Sequence, residues 1–240
     1  LLSAFTSNHY ANQIENLFFN MLLSIFLYKI CETNDLKVRY FNTSLVRLVW
    51  LLPLFLYMIM FSNLIQNLDS LDLPALFSAK VSAYAAETFA SALLEELFFR
   101  GFVFALFSSF FREKKDEKWL MKAVALSSIV FGLSHVINIW SRDYSLSVHN
   151  AFNQMYAAAC TGFLYGAVYV KTRSLLIVVV AHAIGNFGAG IAELMDGVSQ
   201  IQSVASAREK SVFEILFSEL LRILIFGLPL LIGYLMLAYN

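Results

Sequence analysis

Seven apolar stretches, at roughly 14–31, 45–65, 81–111, 119–139, 150–170, 174–195 and 212–239, take up most of the chain. A helix needs about 20 apolar residues to cross the hydrocarbon core of a bilayer. A chain in lipid must also satisfy its backbone polar groups internally, which leaves helices or closed barrels. Long uninterrupted runs lack the short alternating strands of a barrel, so the expected fold class is all-α. The architecture read from them is a polytopic transmembrane helical bundle of about seven to eight spans. Composition agrees, since 59% of the 240 residues are hydrophobic and only 14% are charged, against about 45–50% and about 25% in soluble domains. No repeat or low-complexity linker interrupts the pattern. One integral domain over residues 1–240 is expected, with its polar motifs gathered at about 81–195.

The third stretch is longer than one upright span. Its first turns, Lys80 to Tyr84, are expected at the interface or in a tilted helix, and 69–79, which contains Pro74, as a short interfacial helix. The chain starts at Leu1 rather than Met, so residues upstream, including a further helix, are expected. Basic residues cluster on alternate loops: Lys29, Lys37, Arg39 and Arg47, then Arg112, Lys114, Lys115, Lys118 and Lys122, then Lys171 and Arg173. The positive-inside rule makes that side cytoplasmic. A formal net charge of zero leaves no nucleic-acid footprint, and the partner implied is the lipid bilayer. Cys31 and Cys160, both in apolar stretches, give no disulfide framework.

Against this background, Ser91 to Gly101 stands out, because Glu95, Glu96 and Arg100 interrupt an apolar run. Each ionised group at the centre of a span costs roughly 2.5–3.5 kcal/mol, so such residues face a protein interior or a wet cavity and mark a functional site. At i,i+4, Glu96 and Arg100 share a helix face, and Glu96 is expected to neutralise the arginine. Glu95, rotated by about 100°, is left for other partners. Two more stretches carry polar residues. The fourth holds His135, with Asn138 three residues on; the sixth holds His182 and Asn186 on one face. A lone intramembrane His or Asn is often packing glue, but two histidines, an amide and a spare carboxylate spread over three spans point to a common cavity. The Phe98, Phe99, Phe102, Phe104 and Phe107 cluster is expected mostly to face lipid, and Glu219 with Arg222 to form an i,i+3 pair.

A free carboxylate with histidines and an amide suits attack of water on a carbonyl. Glu95 is the expected general base, with His135 sharing or orienting the water. His182 and Asn186 are the expected donors to the oxyanion, and one such donor is typically worth roughly 2.7–4 kcal/mol. The competing reading is zinc held by Glu95, His135 and His182 with water as the fourth ligand. No His-Glu-x-x-His helix is present and zinc has no need of Asn186, so the form without a cofactor is favoured. Counted from the expected cytoplasmic ends of their spans, Glu95 and His135 lie about 24 Å deep and His182 only about 12 Å, a gap that tilt or different helix ends must close.

In order and spacing, Glu95-Glu96-x-x-x-Arg100, Phe131-x-x-x-His135 and His182-x-x-x-Asn186 resemble the three motifs of the CPBP family. Its members are the type II CAAX prenyl endopeptidases and their bacterial, bacteriocin-processing Abi relatives. The resemblance covers roughly residues 81–195. It implies an intramembrane endopeptidase with Glu95 and His135 as the water-activating pair, Glu96 and Arg100 in support, and His182 with Asn186 as the oxyanion hole. It also implies a hydrophobic or lipidated peptide substrate, and the family's frequent description as metalloprotease keeps zinc in play. Short loops and small size look more like bacterial members, hence a bacterial cell membrane. A peptide-binding or bacteriocin-immunity protein that holds its ligand without cutting it is the alternative, and a proton-coupled transporter is disfavoured because no paired broken helices mark two halves.

Overall fold

The computed structural model describes residues 2–34, 36, 38–40, 44–61, 78–139, 148–196 and 212–239. Among these the fold is all-α, with no strand. The helices are α1 (Leu2–Thr33), a 3₁₀ helix (Leu45–Leu51), α2 (Leu52–Phe61), α3 (Ala79–Glu96), a π-helical segment (Leu97–Val103) and α4 (Phe104–Glu113). They continue with α5 (Trp119–Ser134), a second 3₁₀ helix (His135–Ile139), α6 (Val148–Thr172), α7 (Leu175–Asp196) and α8 (Val212–Ala238). Among the described residues, each of the seven apolar stretches is occupied by helix. Three helical runs are long and apolar enough to cross a membrane, Asn12–Thr33, Trp119–Asn138 and Phe217–Ala238, and Arg47–Met58 and Leu175–Gly190 are shorter apolar helices. The interfacial helix expected at 69–79 lies almost wholly outside the described residues.

The chain forms two compact units, each assembled from three segments. The first takes residues 1–35, 55–97 and 176–208, and so contains α1, α3 and nearly all of α7. α3 starts at Ala79 because the Ser78 side chain accepts a hydrogen bond from the Val81 N–H at 3.3 Å, which satisfies one of the four donors a helix start leaves open. α1 packs against α3. Its other face presents Phe18, Phe19, Leu22 and Phe26, each more than 60% exposed, an area that water would penalise and lipid does not.

The second unit takes residues 36–54, 98–175 and 209–240. α6 is its axis, buried on all sides from Gly162 to Tyr169, with α5 and α8 packed against it. Small residues let the helix axes approach. A Cβ on Gly132 of α5 would sit 2.6 Å from the Met155 carbonyl oxygen and 2.7 Å from the Ala159 Cβ, and backbone cannot yield as a side chain can. Gly132→Ala is therefore expected to cost about 1–3 kcal/mol through overpacking, seen as a fall of several degrees in the unfolding temperature of the purified protein in detergent.

The phenylalanine cluster corrects the sequence reading. Phe99 is buried in a core with Val103 and Phe131, and Phe102 and Phe107 pack against it; Phe98 is the exposed member. The π-helical winding from Leu97 re-aims these side chains relative to an α-helical count. The Glu219–Arg222 pair forms as expected, at 3.3 Å.

Candidate active site

Within the first unit, α3 and α7 run antiparallel with their polar faces together. His182, Asn186 and Gly190 recur at i, i+4 and i+8 along α7, one stripe of a helix. At one end of the stripe His182 meets the last turn of α3. At the other, the Tyr84 hydroxyl donates to the Asn186 carbonyl oxygen at 3.2 Å, and the Tyr84 and Phe187 rings lie 5.7 Å apart. Gly190 makes this possible, since a Cβ there would fall 2.0 Å from the Tyr84 hydroxyl oxygen.

The His182 ring lies between the two glutamates. Its Nδ1 is 2.8 Å from Glu96 Oε1, and because a carboxylate only accepts, the Nδ1–H donates. Its Nε2 is 3.7 Å from Glu95 Oε2, too long for a direct hydrogen bond. Glu95 is held from behind by the Ser91 hydroxyl, which donates to Oε1 at 3.2 Å. Glu96 is fully buried, whereas the Glu95 side chain keeps 31% of its surface. The buried carboxylate thus fixes the imidazole, and the accessible one faces a gap with a ring nitrogen on its far side. The depth difference counted along the sequence is no obstacle to this meeting of Glu95 and His182.

This arrangement adds to the division of roles read from helix spacing. Spacing assigns Glu96 to Arg100 and leaves Glu95 alone to face His182; in the structure both carboxylates address one imidazole, from its two nitrogens. A ring with nitrogens on opposite edges can serve two glutamates 100° apart, which a count of residues per turn does not reveal. The α-helical register also ends at Glu96, and the seven residues that follow hydrogen-bond at i→i+5 spacing. Fixing Nδ1 as the donor has a further consequence. In neutral His182, Nε2 is an acceptor, and it becomes an oxyanion donor only in the imidazolium form.

The second unit holds the other motif residues. Arg100 is 2% exposed and donates from Nη2 to the Gly162 carbonyl oxygen at 2.9 Å. Its guanidinium lies over the Phe131 ring at 4.7 Å and within 5.7 Å of the Tyr165 ring centre, contacts that stabilise a desolvated cation. His135 opens the 3₁₀ segment after α5. Its Nδ1–H donates to the Phe131 carbonyl oxygen at 3.0 Å, which leaves Nε2 as the acceptor nitrogen. Phe131 also meets the His135 ring edge-on at 5.0 Å. Asn138 donates to Gln154 Oε1 at 3.0 Å, tying the 3₁₀ segment to α6.

The sequence reading does not single out Ser91 or Tyr84 as parts of the site. Ser91 stands one helical turn before Glu95, a spacing that offers a faint signal; nothing local marks Tyr84 as the partner of a residue 102 positions away. As a test of metal binding, His182 Nε2 and Glu95 Oε2 converge as two donors, with Glu96 as the outer partner that zinc-bound histidines usually have. Catalytic zinc takes three protein ligands, and no cluster of three His, Cys, Asp or Glu side chains able to hold a metal occurs among the described residues.

Comparison with known proteins gives a family match. The family model "Type II CAAX prenyl endopeptidase Rce1-like" matches residues 77–188, just under half of the chain. No curated protein matches, and no solved structure does. The matched stretch contains Glu95, Glu96, Arg100, His135, His182 and Asn186, the residues of all three motifs. The family is one of integral membrane endopeptidases. Residues 77–188 of this chain are therefore similar to the Rce1-like type II CAAX prenyl endopeptidases.

Proposed function

We propose that the protein is an intramembrane endopeptidase that hydrolyses a peptide bond in a hydrophobic or lipidated, membrane-associated substrate by means of a water activated at Glu95. The observation that carries this reading is the array Glu96–His182–Glu95: a 2.8 Å bond on Nδ1, and a 3.7 Å gap between Nε2 and an accessible carboxylate oxygen. A water in that gap reaches both atoms at hydrogen-bond distance. Glu95 takes a proton from it as its oxygen attacks the scissile carbonyl carbon. Asn186, one turn from His182 on the same face of α7, offers an N–H to the resulting oxyanion. His182 donates to the oxyanion when it is imidazolium, a form the Glu96 carboxylate stabilises. Glu95 then gives its proton to the leaving nitrogen, the C–N bond breaks, and an acid and an amine are released. His135 keeps the catalytic part that the motif gives it, with its Nε2 left as the acceptor nitrogen by the Phe131 bond.

No metal step is needed in this scheme. In detergent or proteoliposomes, cleavage of a hydrophobic peptide panel is expected to survive a zinc chelator; loss on chelation and recovery with zinc would replace it with the metal mechanism. The family match supports a C-terminally lipidated peptide as substrate.

Ser91 acts as a positioning residue. By holding Oε1 it turns Oε2 toward the gap. One hydrogen bond of this kind is worth about 0.5–1.5 kcal/mol, so Ser91→Ala is expected to lower kcat roughly threefold to tenfold while KM stays within twofold. Ser91→Thr, which keeps the hydroxyl, is expected to restore most of it, and Ser91→Ala is expected to have no further effect in a Glu95→Gln background. Full activity in Ser91→Ala would remove the residue from the mechanism without touching Glu95.

A further inference from the structure

The second unit gathers its cations at one end. α5 and α6 are antiparallel: a Cβ on Gly132 would meet Ala159, and one on Gly166 would meet Val124. α6 and α8 are parallel. Tyr156 donates to the Ile223 carbonyl oxygen at 3.2 Å near one end, and Lys171 donates to the Tyr239 carbonyl oxygen at 2.7 Å near the other. The start of α5 and the ends of α6 and α8 therefore share one rim. The segment before α2 joins them there, with the Arg39 N–H donating to the Tyr169 hydroxyl at 3.0 Å and Trp50 4.5 Å beneath the Lys171 ammonium.

Charge on that rim is strongly one-sided. The α4–α5 turn contributes Arg112, Lys114, Lys115, Lys118 and Lys122; the end of α6 contributes Lys171 and Arg173, and Arg39 completes eight cations against Glu113, Asp116 and Glu117. One of the three carboxylates is folded into the turn. Asp116 pairs with Lys122 and accepts from the Lys118 N–H at 2.9 Å, and these bonds hold its carboxyl below the ordinary 3.8. Aromatic rings carry some of the cations: the Arg112 guanidinium lies 3.9 Å over Trp119, and the Lys114 ammonium 4.1 Å over Phe110. At the other end of α6 and α8, Arg222 is matched by Glu219. The rim also coincides with the ends of two runs long enough to span, Trp119–Asn138 and Phe217–Ala238, which is where headgroups lie and where aromatic belts form.

We propose that this rim is a docking surface for anionic phospholipid headgroups, whose phosphodiesters contact Lys114, Lys115, Lys118 and Arg173. Charge complementarity selects the occupant. A zwitterionic headgroup offers no net charge to a surface with five more cations than carboxylates. Each basic group near an anionic surface contributes about a factor of five in binding.

Trp50 and Trp119 lie on the rim and report on it directly. In the full chain carrying Trp140→Phe, quenching by phosphatidylglycerol brominated in its acyl chains is compared with quenching by the matching phosphatidylcholine. The anionic lipid is expected to bind at least about fivefold more tightly at about 0.1 M salt and to lose that preference at about 1 M, where screening is short-ranged. The Lys114→Gln/Lys115→Gln/Lys118→Gln/Arg173→Gln variant is expected to bring the ratio close to one with an unchanged unfolding temperature. Equal binding in the parent, or a preference that survives the four changes, overturns the proposal. So does removal of the preference by inorganic phosphate but not by chloride of equal ionic strength, which would make the rim a free-phosphate site. If the fourfold variant fails to fold, Glu113→Gln/Glu117→Gln must raise the preference; no rise overturns the proposal.

Discussion

Glu95→Gln is expected to reduce peptide hydrolysis by about 10²–10⁴-fold, the usual contribution of a positioned general base, with the protein still folded. The substitution is nearly isosteric, and the amide oxygen it introduces can still accept from Ser91. What is lost is the capacity to take a proton from water in the 3.7 Å gap facing His182 Nε2. The loss should therefore fall on kcat, with KM little changed, because an interaction made only on the way to the transition state is being removed. Single-turnover cleavage of a fluorogenic hydrophobic peptide, beside an unfolding-temperature measurement, separates this from misfolding. Cleavage within a few-fold of the parent would end the general-base assignment.

His182→Ala is expected to cost about 10²–10³-fold in kcat, the range for loss of one oxyanion donor. Glu96→Gln offers a sharper discrimination. An amide can present either oxygen or NH₂ to Nδ1, so it no longer enforces the Nδ1–H tautomer, and it does not stabilise imidazolium. Losses of about 10–100-fold are typical when an outer partner of a functional histidine is replaced. If Glu96 acts through His182, adding Glu96→Gln to His182→Ala should cost little more, since residues that act as a unit are not additive. Additive losses would assign Glu96 to stability alone. The kinetics of both single variants and the pair provide the test.

Much of this was legible in the chain. Helix class and the position of every apolar stretch follow from run length, because backbone in lipid has few ways to satisfy itself. The candidate residues follow from the cost of ionisable groups in such runs, and all the motif residues lie in the matched stretch. The reading departs from the structure where an ideal α-helix is assumed. Phe99 is buried within the π-helical winding that begins at Leu97, which no residue pattern announces, and the contact of Glu96 with His182 is a further partner that spacing does not show.

The sequence by itself determined which side chains are too costly to face lipid, and so which ones are candidates to carry chemistry. It could not determine how they divide the work. That depended on His182 lying between two glutamates 86 and 87 positions away, and on Tyr84 and Gly190 closing α3 against α7. A hydrogen bond to Nδ1 decides what Nε2 can do, and only the tertiary structure brings that bond's partner to the ring.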